Sequence, residues 1–318
     1  MSHEMDDAAA RIRLVRDLVR NGVGPQALAR GVRDGTWTRV RRGACVEGSL
    51  SDDAVVRHCE LIAATIPLLK ADSWVLSYTS AAVVLGLPVP YEGLESAWIT
   101  RPGGRSAHRR QQLMTRVCEF EDDEIITVGG LAVTCPERTA IDMARQHGFP
   151  DGLMVADAVL RAGGSLTKMQ ELVVRSARRP GNRAAVRSVE LASPVPESPG
   201  ESKMRAHLAR LGCPLPELQF TLRTPEGRFV SRNDFGWPEW KVVGEYDGMG
   251  KYTDLRRPGE TIADVIAREK AREADIRDQG YEIARFMAKD LRQPEQAAAR
   301  LLKLLRANGY TGTRPGGA

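Results

Sequence analysis

No stretch of the chain is apolar over the roughly 20 residues that a membrane-spanning helix requires. The opening segment, MSHEMDDAAARIRLVRD, is acidic and then amphipathic. It lacks the positively charged start, apolar middle and small-residue cleavage site of a secretory signal. These absences predict a cytoplasmic protein with no membrane partner. Cysteine is sparse: Cys45, Cys59, Cys118, Cys135 and Cys213 are widely spaced, odd in number and without a C-x-x-C pair. That pattern argues against a disulfide framework and against a structural zinc site. Cys59 falls on a helical stripe with Val55, Ile62, Ile66 and Leu69 and reads as core filler. No G-x-x-x-x-G-K-[ST] occurs, which excludes an ordinary phosphate-binding loop. The glycine-rich RPGGRS at 101–106 lacks that spacing and reads as a connecting loop.

What is present is a chain of 318 residues, 42% apolar and 27% charged, enough for two or three domains with cores of their own. The net charge of +5 is modest, but its distribution is uneven. Residues 11–42 carry nine arginines against Asp17 and Asp34. Residues 101–116 add Arg101, Arg105, Arg109, Arg110 and Arg116 without an acid, and residues 175–187 add five more arginines. Three such clusters favour a polyanionic partner, DNA.

Along the chain, Ile12, Val15, Leu18 and Val19 have helical spacing and predict a helix over 8–20. NGVG breaks it. PQALARGVRDG then predicts a short helix ended by Gly35, and TWTRVRRGACVEG a strand, a turn at Arg42-Gly43 and a second strand. Helices followed by a small hairpin predict a winged helix-turn-helix over 1–48. Period two puts Arg39 and Arg41 on one face of the first wing strand. With Arg30, Arg33 and Arg42 they are the candidate phosphate contacts. Residues 49–191 alternate helical and strand patterns and predict an α/β middle region. Within it, Pro136 suits the first turn of a helix, and the acidic EFEDDE at 119–124 reads as a solvated loop. ELASPVPESPG, 190–200, holds three prolines and a glycine and reads as a boundary.

After that boundary the pattern predicts the order α-β-β-β-α-β-α over 197–308. SRNDFGWPEWKVVGEYDG, 231–248, places three carboxylates close together in a basic chain. Glu245 and Asp247 share one face of a strand, and Asp234 ends its neighbour across a turn. Glu201 lies on the inward stripe of the preceding helix. The sequence SPGE from Ser198 is also a capping-box pattern, and Asp247-Gly248 is also a turn signal. Gathered carboxylates repel one another unless a cation neutralises them. A hard ion with oxygen ligands, Mg²⁺ or Mn²⁺, held by Glu201, Asp234 and Glu245 satisfies that need.

The segment 197–290 resembles the PD-(D/E)XK nuclease superfamily, and within it the branch related to the very-short-patch mismatch repair endonuclease. NDF, GEYDG and READIRDQGYEIARF carry the likeness. It implies a restriction-endonuclease-like αβββαβ core, catalytic roles for Asp234, Glu245 and Asp247, and a metal cofactor. The strand motif is E-x-D where many nucleases have E-x-K, and Lys251 or Lys270 stands in for the missing cation. The first two-thirds of the chain are similar to the abortive-infection type IV antitoxin family, through WTRVRRGACVEG, SYTSAAVVLGLP and TCPERTAIDMAR. This likeness implies operator DNA as ligand and leaves a toxin as an unidentified protein partner. The expected fold is therefore an α+β multidomain chain. The expected function is a DNA-binding, divalent-metal-dependent endonuclease in DNA repair or phage defence. The alternative is a non-enzymatic transcriptional regulator or antitoxin with a degenerate nuclease-like domain, which the absent E-x-K favours.

Overall fold

The computed structural model describes residues 2–69, 73–103, 107–248 and 261–312. The chain divides into two compact units, 1–190 and 191–318, and the break falls in the proline-rich boundary segment. The fold is α+β, with helices and three sheets.

The first unit begins with α1 (Ser2–Arg11), β1 (Ile12–Leu14), α2 (Val15–Arg20), α3 (Pro25–Asp34), β2 (Trp37–Arg41) and β3 (Ala44–Glu47). The single helix expected over 8–20 is interrupted. Ile12 and Leu14 also alternate, and they pair antiparallel with Val46 and Ala44, so the three-stranded ladder β1-β3-β2 wins over helical continuity. The resulting order is helix-strand-helix-helix-hairpin. Its apolar face, Val40, Ala44 and Val46, packs with Leu61 and Ala64 of α4 (Ala54–Thr65). The Asp53 carboxylate caps α4 by accepting from the Val55 and Val56 amides.

Beyond α4 lie β4 (Val75–Leu76), α5 (Tyr78–Leu85), β5 (Ala97–Arg101), β6 (His108–Arg110), β7 (Leu113–Val117), β8 (Ile125–Val128) and β9 (Leu131–Thr134). These strands form a sheet of order β6-β7-β5-β4-β9-β8, with β5–β7 and β4–β9 parallel. Helices α6 (Pro136–His147), α7 (Phe149–Arg161), α8 (Leu166–Arg175) and α9 (Asn182–Leu191) follow. Pro136 opens α6 as its fixed φ predicts. Cys59 is fully buried in the core beside Ile62, the filler its helical stripe implies.

The second unit holds α10 (Pro199–Arg210), β10 (Glu217–Arg223), β11 (Phe229–Trp237), β12 (Val242–Asp247), α11 (Ile262–Asp278), β13 (Glu282–Met287) and α12 (Pro294–Ala307). Its sheet runs β10-β11-β12-β13, antiparallel except for the β12–β13 pair. The order α-β-β-β-α-β-α is the one the sequence predicts. Met204, Leu208, Phe235, Trp237, Phe286 and Leu301 fill its core, with Phe235 and Phe286 edge to face at 6.0 Å.

Candidate functional site

In the first unit, α3 buries Leu28 and Gly31 and exposes Arg30 and Arg33. A Cβ at Gly31 would lie 2.5 Å from the Trp37 ring, so glycine there lets α3 lie close against the wing strand. Gly35, left-handed at φ 83°, ends α3. The Asp34 carboxylate then accepts from the Thr36 amide at 3.1 Å and its hydroxyl at 2.7 Å, fixing the step into β2. Those hydrogen bonds hold the Asp34 carboxyl below its usual pKa.

On the wing, Arg39 and Arg42 are exposed. Arg41 departs from expectation. A bulge between Arg39 and Arg41 breaks the period of two. The Arg41 guanidinium turns inward, is half-buried and donates to the Thr65 hydroxyl of α4. Burial lowers its pKa. Arg41 therefore does not share a free face with Arg39. The tertiary structure instead adds contacts the sequence had left apart. The Gln112 amide donates to the Val40 carbonyl at 2.9 Å, which ties the β6–β7 turn to the wing. Arg39, Arg42 and Gln111 line one groove there, and Arg101, His108 and Arg110 share an adjoining one with Arg41. Arg39, Arg41 and Arg42 of the first arginine cluster and Arg101 and Arg110 of the second thus line adjoining grooves.

In the second unit each of the candidate carboxylates already has a partner. β11 pairs with β12 from Trp237↔Val242 to Phe235↔Gly244. At the end of that ladder the Asp234 side chain accepts from the Tyr246 amide at 2.7 Å. Glu245, 8% exposed, faces α11 and β13. Both its oxygens are held by Arg272, the second at 2.9 Å, and Arg285 Nη2 lies 3.9 Å from one of them. Arg272 also grips Glu269, and Arg285 reaches Glu269, Glu273 and, at 4.0 Å, Asp247. Burial opposes charge on Arg272, but the hydrogen bonds it donates to Glu245 and Glu269 outweigh it and raise its pKa. Arg272 in turn, through its hydrogen bond first, lowers the pKa of Glu269.

Glu201 serves as a cap. Ser198 accepts from the Glu201 amide at 3.2 Å, and the Glu201 carboxylate accepts from the Glu197 amide at 2.9 Å and from Gln219 at 3.1 Å. A Cβ at Gly200 would fall 2.0 Å from the Tyr246 ring, so glycine lets the start of α10 press onto β12. Lys270 is exposed on α11, and Lys251 lies outside the described residues. Among the described residues no group of three His, Cys, Asp or Glu side chains is arranged to hold an ion. The donor set expected for Mg²⁺ or Mn²⁺ does not fit. Glu245 is spent on a guanidinium and Glu201 on a helix start. The cation that gathered carboxylates demand is supplied by Arg272 and Arg285. Both lie within READIRDQGYEIARF, the motif that carries the nuclease likeness, and here they act as counter-charges.

Residues 95–193 match the AbiEi antitoxin C-terminal domain. This antitoxin-like region spans β5 to α9 and does not reach the carboxylate segment. The chain is also 31% identical over 180 residues to two uncharacterized proteins of Mycobacterium tuberculosis, Rv2248 and MT2308. That stretch covers 56% of this chain and 63% of each relative, so the chain spans less than two-thirds of their length. The crystal structure of the RV2827C protein from the same organism covers 70% of this chain and 87% of its own. Its sequence identity is 14% and its TM-score 0.39. No helix among the described residues is long and apolar enough to cross a membrane.

Proposed function

We propose that the protein is a DNA-binding regulator of the antitoxin type, in which the winged helix carries α3 to DNA and the second unit is a non-catalytic binding module. The observation that carries the reading is the two-sidedness of α3. Leu28 and Gly31 anchor it, Arg30 and Arg33 are exposed on it, and Arg39 and Arg42 of the wing are exposed as well. A helix anchored in this way lies in the major groove while the wing meets the backbone. The antitoxin-like region at 95–193 supports the same reading and adds a toxin as the protein partner. The deciding experiment measures binding of the full chain to duplex DNA from its own upstream region across a salt series. Loss of binding in Arg30→Ala/Arg33→Ala, with unchanged melting temperature, supports the reading; unchanged affinity and salt slope overturn it.

The second reading, a metal-dependent deoxyribonuclease, rests on Asp234 and Glu245 occupying adjacent antiparallel strands. It requires Arg272 to release Glu245. Incubating the protein with assorted DNA in Mg²⁺, Mn²⁺ or EDTA separates the two: metal-dependent cleavage lost in Asp234→Asn supports the nuclease, and intact DNA in every condition supports the regulator.

A further inference from the structure

A cavity of about 380 Å³ opens in the first unit, away from α3, where Arg116 of β7, Arg138 and Arg145 of α6, and Arg179 of the α8–α9 connection meet. Tyr78, Cys118 and Gln146 are among its other lining residues. The charges do not balance. Asp142 pairs with Arg138 at 2.9 Å and with Arg145 at 3.0 Å, and Glu124 pairs with Arg138. Arg116 and Arg179 have no carboxylate partner among the described residues, so four guanidiniums face two carboxylates.

The two surplus cations are held in place by groups that leave their charge unspent. Arg116 lies over the rings of Trp98 and Tyr78, 5.4 and 5.9 Å from their centres. Its Nη2 donates to the Gln146 amide oxygen at 3.4 Å, and its Nε is buried without a partner. Arg179 Nη1 donates to the Cys118 sulfur at 2.7 Å, and Arg138 Nη2 reaches the same sulfur at 3.4 Å. That sulfur itself donates to the Glu119 carbonyl. A thiol is a weak acceptor. Two guanidiniums converging on it mark a place where an oxyanion would be bound more strongly. Tyr78 adds a second sign of a built site. It has φ 51° at the start of α5, a left-handed conformation that a tyrosine adopts only when its surroundings impose it.

We propose that this cavity binds a small phosphomonoester, with the phosphate seated between Arg116 and Arg179. A phosphomonoester carries about −1.5 to −2 charge at neutral pH, which matches the surplus of two guanidiniums. The volume falls within the range of small-molecule sites, about 300–1,000 Å³, and leaves room for an organic group beside the phosphate. A DNA phosphodiester offers one charge per phosphate on a long convex polymer and matches the concave, doubly charged cavity less well.

The site does not depend on DNA binding by α3, and its test is separate. Full-length protein is melted in AMP or inorganic phosphate at millimolar concentration against chloride of equal ionic strength. In parallel, alkylation of Cys118 is followed by mass spectrometry; the other four cysteines are buried, so this thiol reports on the cavity. AMP should raise the melting temperature and slow alkylation. Arg179→Gln and Arg116→Met should each weaken AMP binding by about tenfold or more, as loss of a charge-assisted hydrogen bond implies, while Arg30→Ala/Arg33→Ala should leave it unchanged. Equal melting in AMP, phosphate and chloride overturns the proposal, as does an AMP response that survives in both cavity variants. Protection of Cys118 by duplex DNA and not by AMP overturns it in favour of a backbone-phosphate contact.

Discussion

Glu245 of β12 and Arg272 of α11 form a two-point ion pair, with both carboxylate oxygens on one guanidinium. The pair joins a strand to the helix that covers it. It also occupies the group on which a metal site would depend.

Removing one partner leaves a buried charge. Arg272→Met should destabilise the protein by about 2–4 kcal/mol, toward the lower end of the cost of breaking a buried pair because the Arg272 side chain is 27% exposed. Denaturant titration measures this. The double variant Arg272→Met/Glu245→Gln should lose less than the sum of the single changes, because the two residues act on each other. Arg272→Met also frees the carboxylate. Added Mg²⁺ or Mn²⁺ should then raise the melting temperature of that variant more than that of the wild type.

The arginines of the winged helix should separate into two kinds. Arg30→Ala, Arg33→Ala and Arg39→Ala should each weaken DNA binding and flatten the salt dependence by about one unit of slope. Arg41→Ala should lower the melting temperature and leave the slope unchanged, because its guanidinium is committed to Thr65. A slope that falls with Arg41→Ala as it does with Arg39→Ala would contradict the inward placement.

Gly200→Ala tests the seat of α10. The new methyl meets the Tyr246 ring, and overpacking of this kind costs about 1–3 kcal/mol. Gly200→Ala/Tyr246→Leu should recover part of the loss in the same denaturant titration.

His58 gives the protein an acid-sensitive core. Its Nδ1 is 2.7 Å from the Leu94 carbonyl and its Nε2 2.9 Å from the Ser80 hydroxyl, which accepts from the Trp98 amide. These partners suit the neutral ring, with Nδ1 donating and Nε2 accepting. Burial first of all depresses its pKa from 6.5 to about 4. The unfolded chain therefore binds the proton at higher pH than the folded chain does. The associated stability is fully present above pH 6.5 and is lost as pH falls through about 4, amounting to roughly 3 kcal/mol across the window. Stability measured by denaturant titration through this range should fall less steeply for His58→Asn than for the wild type.

Much of the architecture was legible in the sequence because local signals agree with it. Pro136 and Gly35 punctuate helices where their backbone preferences place them. The alternation in ELQFTLR and KVVGEYD became strands, and the proline-rich stretch near 190 became the break between units. The sequence also sufficed to single out Asp234 and Glu245, since strands disfavour carboxylates without a reason. It did not determine what neutralises them. Arg272 and Arg285 lie 27 and 40 positions beyond Glu245 and reach it only because β13 runs parallel to β12 with α11 between them in the chain. Arg39 and Arg41 likewise look equivalent in a strand of period two, until a bulge and a threonine on α4 separate them. The arginine clusters could be counted from the sequence, but only the packing of β7, α6 and the α8–α9 connection sets Arg116 and Arg179 around one cavity. Backbone preference and burial pattern are local and can be read along the chain. The partner of a buried charge is set by which elements fold back against one another, and that is decided in three dimensions.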